Sequence, residues 1–235
     1  MNSREQILAR ISSATKSNRS DAQRRKAVEN RISDHPSGVL PQGPELVAQK
    51  IKKFADKAQL AAASVDIVAA GGEARAIAKW LRAHNLPQSL RTGSDARLKK
   101  IKWPKICPPE LKQGPSDGLD LVGLSHGLAG ISESGTLVLA SGQQNPTTIN
   151  FLPENHIVVL DAKNIENDHE AVWKKIRRRY GSGKMPRTIN MITGPSRSAD
   201  IEQTLILGAH GPVRLHIVIV KDPPKTNAAK KSRRT

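Results

Sequence analysis

With 235 residues the chain is long enough for one domain with a sizeable core plus extensions, and at 3% aromatic content that core must be aliphatic. No segment approaches the roughly 18 apolar residues that span a bilayer, and Met1 to Arg10 lacks the apolar stretch of a secretory signal, so a cytoplasmic protein is expected. Cys107 is the only cysteine, which excludes an intrachain disulfide, a four-cysteine zinc site and an iron–sulfur cluster held by this chain alone, while the net charge of +17 falls to +1 between Leu119 and Val220.

Met1 to about Ile32 reads as polar, basic helix with Ile7, Leu8 and Ile11 as a thin apolar stripe. His35-Pro-Ser-Gly and Pro41-Gln-Gly-Pro then break the periodicity, so residues 1–44 are a helical basic extension with a linker. An α/β domain is expected over 45–222. Val47, Ile51, Phe54, Ala58 and Ala62 recur at helical spacing, Val65–Ala70 follows as a strand, and Ala74, Ile77, Ala78 and Leu81 give a second helix. The intervening Gly71-Gly72 lacks the spacing of a nucleotide-binding loop and reads as a tight turn. Leu90 marks another strand, and the basic, proline-rich Lys99–Pro115 reads mostly as loop.

From Leu119 the chain is dense in strands. Leu119–Leu124 is followed by a turn at Ser125-His126-Gly127, and Gly130-Ile-Ser-Glu-Ser-Gly-Thr136 runs into Leu137-Val-Leu139. Glu133, between Ser132 and Ser134 and before Gly135-Thr136, stands at the mouth of an apolar strand. It fits a general base, a nucleophilic carboxylate or a ligand anchor, and equally a carboxylate that accepts turn N–H groups. Pro146–Asn150 reads as polar loop, and His156 opens the strand His156–Leu160 as a candidate site residue. Ile165–Tyr180 is helical, with Val172, Trp173, Ile176 and Tyr180 inward.

Ile189–Thr193, Ala199–Leu207 and Leu215–Val220 read as a strand, a helix and a parallel strand, with Gly194–Ser198 and Gly208–Pro212 at the junctions. Asp200 and Glu202 suit a first helical turn, and Ile201 and Leu205 can face the sheet. At the strand-to-helix turn, which includes Pro195, Gly194 allows a close backbone approach, Ser196 and Ser198 offer hydroxyls, and Arg197 supplies a cation. Such a turn can hold a phosphate or carboxylate, or simply cap its own helix. Residues 223–235 read as a disordered basic tail after Pro223-Pro224.

Ile192-Thr-Gly-Pro-Ser-Arg-Ser-Ala-Asp-Ile-Glu202 with Leu207-Gly-Ala-His-Gly-Pro212, Ile131-Ser-Glu-Ser-Gly-Thr-Leu-Val-Leu139 and Leu152-Pro-Glu-Asn-His-Ile157 together resemble the lactate-utilisation (LUD) domain family. Ser132 and Ser134 replace the family's commoner Ala and Thr and leave Glu133 in place. The resemblance implies a Rossmann-like sheet with helices on both faces, related to the glucosamine-phosphate deaminase, ribose-phosphate isomerase and CoA-transferase folds. It also implies a part in oxidising L-lactate to pyruvate beside two iron–sulfur partner proteins. The lone Cys107 fits that division of labour, because the clusters would reside on the partners.

Three functions follow as expectations. In the first, the chain is a non-redox component of an L-lactate-oxidising system that binds a small carboxylate or its partners. Glu133, Thr136, Gly194–Ser198 and His210 would converge beyond the carboxyl ends of the strands, with Arg197 as the carboxylate fork. The second is an acyl-transferase-like enzyme with Glu133 as nucleophile. The third is nucleic-acid binding or regulation through the basic flanks, for which the chain has few stacking aromatics.

Overall fold

The computed structural model describes residues 2–15, 20–40, 42–181, 183–201 and 204–221, with the side chains of 198–207 outside the description. The expected side-chain placements of Ser198, Asp200, Ile201, Glu202 and Leu205, and the tail 223–235, therefore lie outside the described residues. Residues 1–40 and 41–235 form separate compact units. The first contains α1 (Ser3–Thr15) and α2 (Asp21–Asp34), neither of which buries a side chain. A capping box starts α2: Ser20 Oγ accepts from Gln23 N at 3.3 Å, and Gln23 Oε1 accepts from Ser20 N at 2.9 Å.

The second unit runs α3 (Val47–Leu60), β1 (Ser64–Ala69), α4 (Glu73–Ala83), β2 (Ser89–Thr92), α5 (Ala96–Lys99), β3 (Glu110–Gln113) and β4 (Val122–His126). It continues through β5 (Ala129–Ile131), β6 (Thr136–Ala140), α6 (Thr147–Phe151), β7 (Asn155–Asp161), β8 (Ile165–Glu166) and α7 (His169–Tyr180). The last strands are β9 (Ile189–Ile192), β10 (Arg197–Ile201), β11 (Thr204–Leu207) and β12 (Arg214–Lys221). A six-stranded sheet in the order β1-β12-β7-β4-β2-β3 is parallel throughout. A four-stranded sheet, β8-β5-β6-β9, and the β10-β11 hairpin complete the unit.

The architecture is mixed α/β, with the central sheet covered on both faces. Alternation along β7 shows why its sequence is almost continuously apolar. Val158 and Leu160 face α3 and the small sheet, meeting Phe54, Ala58, Leu137 and Leu139, whereas Ile157 and Val159 meet α4 residues Ile77 and Leu81. The small sheet forms a further layer: Ile131 and Val138 on its other side bury Val172 and Ile176 of α7. Each such fully buried aliphatic side chain stabilises the fold by about 1.5–3 kcal/mol relative to an exposed one.

The expected strand–helix–strand unit near the C-terminus is not formed. β9 pairs antiparallel with β6 in the small sheet, β12 lies between β1 and β7 in the large one, and the segment between them makes the antiparallel β10-β11 hairpin. One apolar i,i+4 pair is too little periodicity to specify a helix, and Ile201, Thr204 and Ile206 favour strand. Three smaller corrections have similar causes. Ser125 and His126 lie inside β4 rather than in a turn, and Pro146–Asn150 contributes the short helix α6. Exposed β3 forms at the sheet edge within the expected loop, where proline-flanked segments are tolerated. The expected helix from Ile165 begins only at His169, after Asp168 Oδ1 accepts from Ala171 N at 2.8 Å.

Two glycine turns dock on the carboxyl end of α3. Gly135 has φ +72° and Gly194 has φ +76°; a Cβ on the first would lie 2.4 Å from Ala58 N, and on the second 2.1 Å from Ala61 O. Both positions exclude a side chain for conformational and steric reasons. Gly194→Ala should therefore lower stability by about 2–4 kcal/mol in urea titrations. Gly71→Ala, at φ +89° with nothing within 4 Å, should cost only about 1 kcal/mol; equal losses would show that α3 contact is irrelevant.

Candidate functional site

The two halves of the C-terminal motif are hydrogen-bonded to each other. Ser196 N donates to Pro212 O at 2.9 Å, Gly208 N donates to Ser196 O at 3.1 Å, and Ser196 Oγ accepts from His210 N at 3.2 Å. Ser196 is thus a clasp between two loops and not a helix cap. Arg197, exposed at the start of β10, donates through Nη2 to Ala61 O, one of the carbonyls left free at the end of α3. Gly194 gives close approach to that same carbonyl rather than to a ligand.

These loops wall a cavity of about 230 Å³ whose lining includes His156, Gly194, Pro195, Ser196, Arg197 and His210. The structure thus brings together six residues singled out from two separate motifs. Their location differs from the expected one. His156 and Leu215, which also lines the cavity, are the second residues of β7 and β12, so the cavity is beside the amino ends of these parallel strands.

Of the lining residues, His156 is fully buried, with Nε2 3.0 Å from Ser125 Oγ. Ser125 in turn donates to Asn150 Oδ1 at 3.1 Å. Since the serine proton is committed to the amide oxygen, Nε2 must donate to Ser125, leaving Nδ1 as a bare acceptor. His156 Nδ1 and Asn150 Nδ2 are both buried without a hydrogen-bond partner, and both residues line the cavity. Burial pushes the His156 pKa down to about 3, so the ring is neutral near pH 7. The Ser125–His156 pair is not an activated nucleophile, because the histidine is the donor and no carboxylate holds Nδ1.

The Glu133 turn is built differently. Ser132 N donates to Glu166 O at 2.9 Å, and Ser132 Oγ and Glu133 N donate to Asn167 O at 3.2 and 3.1 Å. The Glu133 carboxylate accepts from His169 N at 3.3 Å and lies 2.5 Å from His169 Nδ1, at the amino end of α7. It is not among the residues that line the motif cavity, where it was expected beside Arg197. The two motifs nevertheless touch. Ser134 Oγ is 2.7 Å from Thr136 Oγ1, which is 2.6 Å from Thr193 Oγ1, the residue before Gly194.

Asn150, Ser125 and Thr193 escape the sequence reading of this site. Asn150 falls on the five-residue α6, too short to display a period, and Ser125 is concealed by a glycine-containing segment that reads as a turn.

Comparison with known proteins agrees with the motif-bearing segment. Residues 118–220 match the LUD domain model. Lactate utilization protein C of Halalkalibacterium halodurans is 34% identical over 102 residues, covering 43% of this chain and 44% of that protein. The proteins of the same name from Geobacillus sp. (strain WCH70) and Bacillus subtilis are 37% and 36% identical over 102 residues, each covering 43% of this chain and 42% of the relative. The chain's matched part thus spans less than half the length of these curated relatives. A crystal structure of a DUF162 family protein from Deinococcus radiodurans has the same fold, with a TM-score of 0.57 and 19% identity, covering 75% of this chain and 99% of that one.

The buried histidines make stability depend on pH. His156 is held near 3 by burial; His216 is held near 4, also by burial, with Asp66 opposing. Their folded values lie below the ordinary 6.5, so the unfolded chain binds more protons in between, and stability falls as pH drops from 6.5 toward 4. Each imidazole should contribute about 1.4 kcal/mol per pH unit to that slope. His156→Gln should remove one such contribution in urea titrations across this range; an unchanged slope would contradict its burial as a neutral ring.

Proposed function

Because residues 118–220 match the LUD domain model, we propose that this chain is a non-redox component of an L-lactate utilisation system and holds a small 2-hydroxy carboxylate in the motif cavity. The names of its relatives support the pathway. The observation that carries the ligand class is a pair of buried, partnerless polar groups, His156 Nδ1 and Asn150 Nδ2, on two residues that line the cavity. A hydroxyl has the donor and acceptor character these two groups lack, since it can accept from an amide and donate to an imidazole. A carbonyl in the same place can accept but cannot donate, and would leave His156 unsatisfied. Arg197 at the wall retains guanidinium donors beyond the one given to Ala61 O, and these suit the carboxylate.

In this reading the chain binds and orients the hydroxy acid, and electrons leave through iron–sulfur partner proteins, since Cys107 is the only cysteine. Acyl transfer through Glu133 has less support, because that carboxylate is engaged by His169 and α7.

Calorimetry with the full chain tests the proposal. L-Lactate should bind more tightly than pyruvate, and Arg197→Ala should weaken L-lactate about tenfold or more while the circular dichroism spectrum is retained. Equal affinity for the two acids, or wild-type affinity in the folded variant, would reject the assignment.

A further inference from the structure

The large sheet has a second crevice, at its opposite end, that contains none of the motif residues. Chain order runs from β2 outward to β3 on one side, whereas β4, β7 and β12 succeed one another toward the other side. The connections after β2 and β4 therefore diverge, and a crevice is left beyond their carboxyl ends, the position where open parallel sheets hold ligands. Its volume is about 330 Å³, within the range of small-molecule sites.

Both walls are fixed. Ser94 N and Oγ donate to Gln143 O at 3.2 and 3.1 Å, and a Cβ on Gly93 would fall 2.1 Å from Gln144 O, so the loop after β2 is packed directly on the loop after β6. Asp95, buried at the start of α5, accepts from Arg97 N at 2.9 Å and pairs with its guanidinium at 2.6 Å. That pair cancels its own charge. Asp95 is the only carboxylate lining the crevice, and among the described residues Arg179 has no carboxylate partner, standing instead over the Tyr180 ring at 5.6 Å. Among the residues that line the crevice, the Arg179 guanidinium has no carboxylate to offset it.

His126, the last residue of β4, has only 4% of its side chain exposed and also lines the crevice. Nδ1 lies 3.0 Å from Gly127 O, which can only accept, so Nδ1 carries the proton and Nε2 presents a lone pair. Among the described residues no hydrogen bond reaches Nε2; Asp161 Oδ1 is 3.7 Å away, and Arg97 and Asp95 are the other charged groups acting on the ring. Burial lowers the His126 pKa, with Arg97 acting in the same direction, which keeps this lone pair available.

We propose that this crevice is a second ligand site, for a small hydroxylated oxyanion whose charge is held by Arg179 and whose hydroxyl donates to His126 Nε2. The inference is independent of the lactate reading, since it uses no residue of the motif cavity. A carboxylate and a phosphate ester share the required chemistry.

The test is histidine-labelled NMR of the full chain, titrated with glycerate, glycerol phosphate, glycerol and inorganic phosphate, with His126→Gln identifying the resonance. Glycerate or glycerol phosphate should shift the His126 signal saturably, and the tighter of the two names the source. Arg179→Ala, an exposed position, should weaken that response about tenfold or more, whereas Arg197→Ala should leave it unchanged. No saturable shift at millimolar concentration, an equal response in Arg179→Ala, or an equal response to glycerol or inorganic phosphate would overturn the proposal. Loss in Arg197→Ala alone would place the ligand in the motif cavity and overturn it as well.

Discussion

The carboxyl end of α3 is the contact on which the motif-bearing region depends. Helix ends leave carbonyls without partners, and here Ala61 O receives the Arg197 guanidinium beside a turn that only glycine can bring so close. The Gly135 turn docks one helical turn earlier, against Ala58, and the Ser134–Thr136–Thr193 hydroxyl chain joins the two turns. Motifs distant in sequence are thereby held as one assembly. Much of what looks like chemistry in them is architecture: Gly194, Ser196 and Glu133 each have a packing or hydrogen-bonding duty that accounts for the residue type.

The site's chemical character comes from what that architecture leaves incomplete. A buried relay from His156 through Ser125 to Asn150 is satisfied along its length and unsatisfied at both ends. An unpaired buried donor or acceptor costs about 1–3 kcal/mol, and the two orphaned atoms belong to residues that line the same cavity. A ligand that satisfies both recovers that cost on binding. Selectivity then follows from the donor–acceptor pattern, which distinguishes a hydroxyl from a carbonyl where shape alone would not.

The parts of the fold that could be read in advance are those whose local pattern and tertiary environment agree. The helical stripe Ile51, Phe54, Ala58 and the apolar runs of β7 and β12 are buried as their periods require. The motif residues His156, Gly194, Pro195, Ser196, Arg197 and His210 do gather around one cavity. What could not be read was partner choice. β9 and β12 both have strand character, but nothing local assigns one to the small sheet and the other to the large. Glu133 stands out in sequence because it is charged at a strand mouth, yet its partner, His169, is 36 residues away and invisible to any short window. His126 escaped notice for the opposite reason: a glycine after it reads as a turn, while the structure extends β4 through it.

The two ends of the large sheet are consequently different in kind. The amino end carries residues of two sequence motifs around a neutral histidine, and the carboxyl end carries an arginine-rimmed crevice at the point where the strand connections diverge. A crystal structure of the full chain soaked with L-lactate bears most directly on the central claim. The account predicts density in the motif cavity, with the hydroxyl within hydrogen-bonding distance of His156 Nδ1 and Asn150 Nδ2 and the carboxylate on Arg197. An empty motif cavity at saturating lactate, or lactate bound there with its hydroxyl turned away from both groups, would contradict it.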